Sequence, residues 1–147
     1  EMVFSKDVAK WYSSNINLNA YYNQIGAFTV DNLYPVPNIF SADKQDVISG
    51  NIKWNNTVHL SQKIDVQLTA IYLAPDIIPQ GKIKSRFSID LGLKKSVQNG
   101  KGEFFLNASD LFNTLVIKKE IQGNNFRYSS NDYYETQVIR LGYNYKF

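Results

Sequence analysis

The sequence contains no cysteine. That excludes disulfide scaffolds, thiolate metal sites and cysteine nucleophiles together. It leaves the compartment open, because many envelope and secreted proteins also lack cysteine. There is one histidine, His59, and no second imidazole or thiolate with which to build a conventional zinc site. His59 therefore reads as a polar strand residue near a short turn. No run of about 18 apolar residues exists, so no transmembrane helix is expected. The opening EMVFSKDVAKW lacks the basic flank and apolar core of a signal peptide, as a mature chain or a piece of a longer one would. Charge of one sign is also lacking: 16 basic residues stand against 13 acidic ones, for a net charge of +3. The lysines are dispersed, so there is no nucleic-acid footprint. Phosphate-cradling glycine loops and nucleophile elbows are missing. Asp65, Asp90 and Asp110 lie far apart without catalytic spacing. We expect no enzyme, no metal and no cofactor.

What the sequence does have is alternation. Helical periodicity is nearly absent and period two runs through most of the chain. From Tyr12 to Tyr22, Ile16, Leu18, Ala20 and Tyr22 share one face, while Asn15, Asn17 and Asn19 share the other. From Ile48 to Leu60, Ile52, Trp54 and Val58 oppose Asn51, Lys53, Asn55 and Thr57, with Asn56 the exception on the apolar side. Ile64–Tyr72 alternates in the same way, and so does Lys84–Lys95, in the run KSRFSIDLGLKK. A fifth strand begins at GEFFLNAS, and its alternation breaks at SDLFN, where a bulge or bend is expected. The sixth runs from Ile139 to Phe147, and MVF near the start reads as the end of a seventh. The NNT at Asn55 and NAS at Asn107 fall inside strands, where a glycosylation match is chance.

Alternation alone does not separate a soluble antiparallel sandwich from a membrane barrel. The connections are more informative. SKDVAK before Trp11, SQK after Leu60 and VQNGKG after Ser96 are short and polar. Those between them are long: Phe28 to Asp46, APDIIPQGK after Tyr72, and Lys119 to Asp132. Short turns alternating with long loops are the pattern of an up-and-down transmembrane barrel. Aromatics are frequent at 14% and stand near strand ends, at Trp11, Tyr12, Tyr21, Tyr22, Tyr72, Tyr133, Tyr134, Tyr143 and Tyr145. Interfacial girdles explain that placement, although aromatics are common in strands generally. In this architecture Asp65, Asp90 and Asp110 are polar lumen residues. The segment YPVPNIF reads equally as an aromatic recognition surface or a stiff proline-bearing loop.

The block QGKIKSRFSIDLGLKKSVQNGKGEFFLNASDLFNT, followed by a closing strand LGYNYKF, resembles the C-terminal barrel of outer-membrane TonB-dependent receptor-like proteins. WNNTVHL and IDVQLTAIYLAP are similar to that family's penultimate hairpins. The resemblance covers the chain from about Trp11 onward and lies in the order of the pieces. It implies an all-β antiparallel barrel of which residues 1–147 are about six to seven C-terminal strands, since about eight is the smallest number that usually closes. It also implies a multi-pass outer-membrane protein with a periplasmic C-terminus, taking up a scarce solute such as an iron complex, a glycan or a peptide. The implied partners are outer-membrane lipid, the rest of the barrel and its plug, the barrel-assembly machinery, a TonB-type energy coupler and a surface lipoprotein. Ile139, Leu141, Tyr143, Tyr145 and Phe147 would form the assembly signal, read by strand addition. Tyr34, Phe40, Phe126 and Tyr128 would be extracellular loop contacts. The alternatives are a structural or assembly-associated barrel, a barrel client bound to the assembly machinery, and a soluble β-sandwich binding module.

Overall fold

The structure is a computed structural model that describes residues 1–32, 35–61, 63–123 and 126–147, with Asn32 and Asn38 as backbone only. Among the described residues it is all-β, with thirteen strands and one short turn of 3-10 helix. Seven strands form the main sheet: β1 (Met2–Ala9), β2 (Tyr12–Ile25), β5 (Gln45–Ser61), β6 (Ile64–Leu73), β9 (Arg86–Val97), β10 (Gly102–Ser109) and β13 (Val138–Tyr145). Each is antiparallel to its neighbour, and their spatial order is their chain order. This is an up-and-down sheet. Its two edges, β1 and β13, do not pair with each other.

Register turns the sequence alternation into two faces. One row runs Phe4, Ile16, Trp54, Ala70, Ile89 across five strands. Another runs Tyr12, Val58, Val66, Leu93, Leu106, Leu141 across six. Between these apolar rows lie the polar ones. Ser5, Asn15, Asn55, Thr69 and Asp90 form one, and Ser13, Thr57, Gln67, Gly92, Asn107 and Arg140 another. The polar face is stitched by side-chain bonds: Asn17 Nδ2 donates to Asn15 Oδ1 at 2.6 Å, and Thr69 Oγ1 to Asn55 Oδ1 at 3.0 Å.

A soluble sandwich would bury the apolar rows in a core. Here Ile77 and Ala108 are the buried hydrophobic residues among those described, while Leu141 is 76% exposed and Phe4 62%. The apolar face is an outer surface, not half of a core. Asn56 breaks it, as the sequence indicates. Its Oδ1 accepts from the Tyr12 hydroxyl at 2.7 Å and its Nδ2 is buried without a partner. Beside it the Trp54 indole donates to Ser14 Oγ at 2.8 Å.

Two expectations are corrected and one is met. SKDVAK is not a turn but most of β1, and the connection shrinks to Lys10 and Trp11. The sequence hides this because Lys6 sits on the apolar parity, opposite Ser14. At SDLFN the expected break is a bend rather than a bulge: β10 pairs regularly to Ser109, then a tight turn follows with Asp110 and Asn113 at φ of +44° and +55°. The last strand stops at Tyr145, and Phe147 lies beyond it with its ring edge-on to Tyr145 at 5.3 Å.

The long connections are not irregular loops. They hold β3 (Phe28–Asn32) with β4 (Asn38–Ala42), β7 (Asp76–Ile78) with β8 (Gly81–Ile83), and β11 (Ile117–Gln122) with β12 (Arg127–Asp132). β8 also pairs with β11, so the last two hairpins fuse into a four-stranded outer sheet, β12-β11-β8-β7. At the opposite end the turns are tight. The one between β9 and β10 needs three consecutive left-handed residues, Gln98, Asn99 and Gly100, which the amide side chain and the glycine tolerate.

Candidate functional site

Where the loops meet, an open cleft of about 540 Å³ forms between the outer sheet and the connection from β4 to β5. Its floor is one face of the outer sheet. Ile77, Lys82 and Glu120 lie side by side there in register, and Gln122 pairs with Arg127 further along. Its wall is the segment Ser41–Asp46, carrying Asp43, Lys44 and Asp46. Lys84 Nζ binds Glu120 Oε1 at 2.6 Å. That hydrogen bond, the Lys84 charge, and then Arg127 and Lys82 hold the Glu120 carboxyl below its ordinary range. Lys84 thus holds the carboxylate directly, and Arg127 and Lys82 act on it from further away.

The outer sheet is anchored to the wall of the main sheet by Asp76. Its carboxylate accepts from the Tyr21 hydroxyl at 2.7 Å and from Asn23 Nδ2 at 2.9 Å, both on the polar face of β2. Those bonds, Asn23 first and then Tyr21, lower the Asp76 pKa. On the other face of the sheet, Lys119 Nζ and Asp132 Oδ2 pair at 2.7 Å.

The ends of the third long connection are tied down by Asp110, which is 2% exposed. Its carboxylate accepts from Thr114 N at 2.9 Å, Leu115 N at 3.1 Å and Thr136 Oγ1 at 2.6 Å. Its own N–H donates to Asp90 Oδ1 at 2.8 Å. Asp110 is therefore a buried turn residue, not the lumen-lining group expected of it. Sequence spacing could not reveal this, because Thr136 is brought back only by the pairing of β13 with β10.

Of the expected loop contacts, Tyr34 lies outside the described residues. Phe40 packs on Phe28 with ring centroids 5.9 Å apart, Phe126 lies against Gly123, and Tyr128 is exposed on β12. Among the described residues none of these three lines the cleft; their neighbours Ser41 and Arg127 do. The charged lining went unnoticed in sequence, although the period-two lysines of GKIK, Lys82 and Lys84, were a usable strand signal. The expected assembly residues Ile139, Leu141, Tyr143 and Tyr145 share the apolar face of the edge strand β13, and all four are exposed. On the polar face near the tight turns, His59 Nδ1 and Asp65 Oδ1 are 2.6 Å apart and Lys94 pairs with Glu103 at 2.8 Å.

A family model described as "outer membrane protein beta-barrel family" matches residues 1–145. The chain belongs to that family. No curated protein and no solved structure matches it. Membership locates the chain at the outer membrane and makes its main sheet a stretch of barrel wall. The dimensions agree. On β9 the apolar stripe runs from Phe87, paired with Tyr72, to Lys95, paired with Phe104. From Phe87 to Lys95 is nine residues, matching the roughly 9–11 that a transmembrane strand tilted about 45° uses to span the membrane. Both ends of that stripe carry aromatics on the outward face, Tyr72 and Phe87 at one, Phe104 and Tyr143 at the other, the latter pair 4.7 Å apart.

Proposed function

We propose that this barrel segment supplies wall, outer loops and closing strand to a TonB-dependent receptor-like transporter that takes up a scarce solute, such as an iron complex, a glycan or a peptide. The observation that carries the reading is the position of the cleft. It opens at the loop end of a wall whose other face is a ladder of amides and hydroxyls, a surface suited to hydrated solute or to a plug rather than to lipid. In this reading the apolar rows meet lipid, the long loops are extracellular, and the tight turns and the C-terminus are periplasmic. The open edges of β1 and β13 are closed by further strands of the same barrel, since an unpaired edge in lipid costs several kcal/mol per group. A TonB-type coupler and a surface lipoprotein are the partners such a transporter would use. The decisive test is solute depletion by cells with and without the gene, with and without an uncoupler of the proton-motive force. Energy-dependent depletion of one solute pool supports transport. Identical depletion across metal chelates, oligosaccharides and peptides refutes it.

A second reading, a structural or assembly-associated barrel, draws on β13 itself. Its alternate apolar side chains and free edge suit recognition by strand addition during assembly. A purely structural barrel would insert and become heat-modifiable on gels yet deplete nothing.

A further inference from the structure

The cleft has an electrical polarity. On the floor, Glu120 is taken by Lys84, and no carboxylate lies within 4.0 Å of Lys82 or Arg127 among the described residues. On the wall, Asp43 and Asp46 flank a single lysine, Lys44, and neither carboxylate has a cation within 4.0 Å among the described residues. The floor thus offers two cations and the wall two carboxylates that line the same cleft and make no ion pair with one another among the described residues, with the Tyr22 hydroxyl beside Asp46. Charges that served only to hold the loops together would meet, as Lys84 and Glu120 do. Among the described residues the lining offers no aromatic ring on which a sugar or an aromatic chelate could stack. It offers the side-chain amides of Gln45, Gln80 and Gln122 instead. The volume falls within the roughly 300–1,000 Å³ typical of small-molecule sites.

We propose that the cleft binds a small zwitterionic solute, its carboxylate on Lys82 and Arg127 and its ammonium on Asp43 and Asp46, which a short peptide with free ends would satisfy. Arg127 on β12 offers the planar fork that matches a carboxylate, and Lys82 on β8 adds a point charge from the same floor. The inference rests on reading this cleft as the solute-contacting mouth of the barrel, and it narrows the solute to one chemical class.

The test is binding, measured by calorimetry on the full-length protein in detergent, so that it is independent of uptake. The probes are tetra-alanine with free ends, its N-acetyl form, its C-terminal amide and the doubly blocked form. The free peptide should bind, and blocking either end should weaken it about tenfold, the worth of one charge-assisted contact. Lys82→Gln with Arg127→Gln should abolish the preference for acid over amide while keeping the preference for a free amine. Asp43→Asn with Asp46→Asn should do the reverse. All four substituted residues are exposed, so heat-modifiability on gels should remain native for both variants and serves as the check on folding. Equal affinity for all four peptides, or no binding of the free peptide at millimolar concentration, overturns the proposal even if uptake is demonstrated. Binding of the expected kind without energy-dependent uptake leaves it standing and removes the transport reading instead.

Discussion

Replacing Asp110 with alanine should loosen the outer rim of the barrel wall more than any other single polar change. The carboxylate is buried and accepts from two backbone N–H groups and from the hydroxyls of Thr114 and Thr136. Thr114 Oγ1 has a second acceptor in the Phe87 carbonyl at 2.8 Å, so it loses little. The other three donors lose their acceptor. Hydrogen bonds to a charged group contribute about 1.5–3 kcal/mol each, and they are not additive around one acceptor. Relief of the buried charge offsets part of the loss. Alanine at a φ of +44° adds about 1 kcal/mol that aspartate, which visits the left-handed region more readily, largely avoids. We expect a net loss of about 3–5 kcal/mol for Asp110→Ala. Asp110→Asn should lose about 1–3 kcal/mol, because it keeps one acceptor oxygen and the turn conformation. Urea titration of the full-length protein in lipid vesicles, followed by tryptophan fluorescence and by heat-modifiability, reads both. An Asp110→Ala variant within about 0.5 kcal/mol of the parent would show that the network does not hold the turn, and the assignment of Asp110 as the clasp of this rim would be wrong.

Other perturbations have equally definite outcomes. On the polar face the Phe105 ring lies over Gly142, and a Cβ built there would sit 2.1 Å from Phe105 Cζ. Gly142→Val should therefore cost about 1–3 kcal/mol by overpacking, and Phe105→Leu in the same chain should recover much of it in the same urea assay. Hydrogen bonding keeps the Asp76 carboxylate ionised below its ordinary range, so its contribution is full above the unfolded pKa and fades as pH falls through the lowered folded value. Pepsin should cut the β7–β8 connection faster as pH drops below about 4, and Asp76→Asn should flatten that dependence. Substituting Phe147 with aspartate should reduce assembled, heat-modifiable barrel in cells more than the same change at Lys146. Equal assembly would remove the terminal-signal reading.

The wall was readable because its physics is local to each strand. Every second side chain of β2, β5, β6, β9 and β10 meets the same environment, so period two survives in sequence. β1 was partly hidden by Lys6, whose place is fixed by pairing with β2 rather than by its own pattern. The outer sheet was invisible for a related reason. β7 and β8 have three residues each, stand among Pro75 and Pro79, and gain their sheet only from β11, far along the chain. No window of sequence contains both partners. The cleft inherits that obscurity, since Asp43, Lys82 and Arg127 come from three different connections. Asp110 was noticed as a break in alternation, but its donors at Thr114 and Thr136 come from both sides of the β11–β12 hairpin.

The pairing of β8 with β11 also limits how this protein can change over generations. Loops on a barrel usually diversify one at a time, because each is tethered only to its own two strands. Here the connection after β6 and the connection after β10 share a backbone ladder, and Lys84 N–H reaches the Lys118 carbonyl at 2.9 Å. An insertion in one would shift the register of the other. New side-chain chemistry in this cleft would arise through replacement on a fixed frame, or through paired changes in both loops, while the β3–β4 hairpin, which shares no ladder with either among the described residues, is free to vary alone.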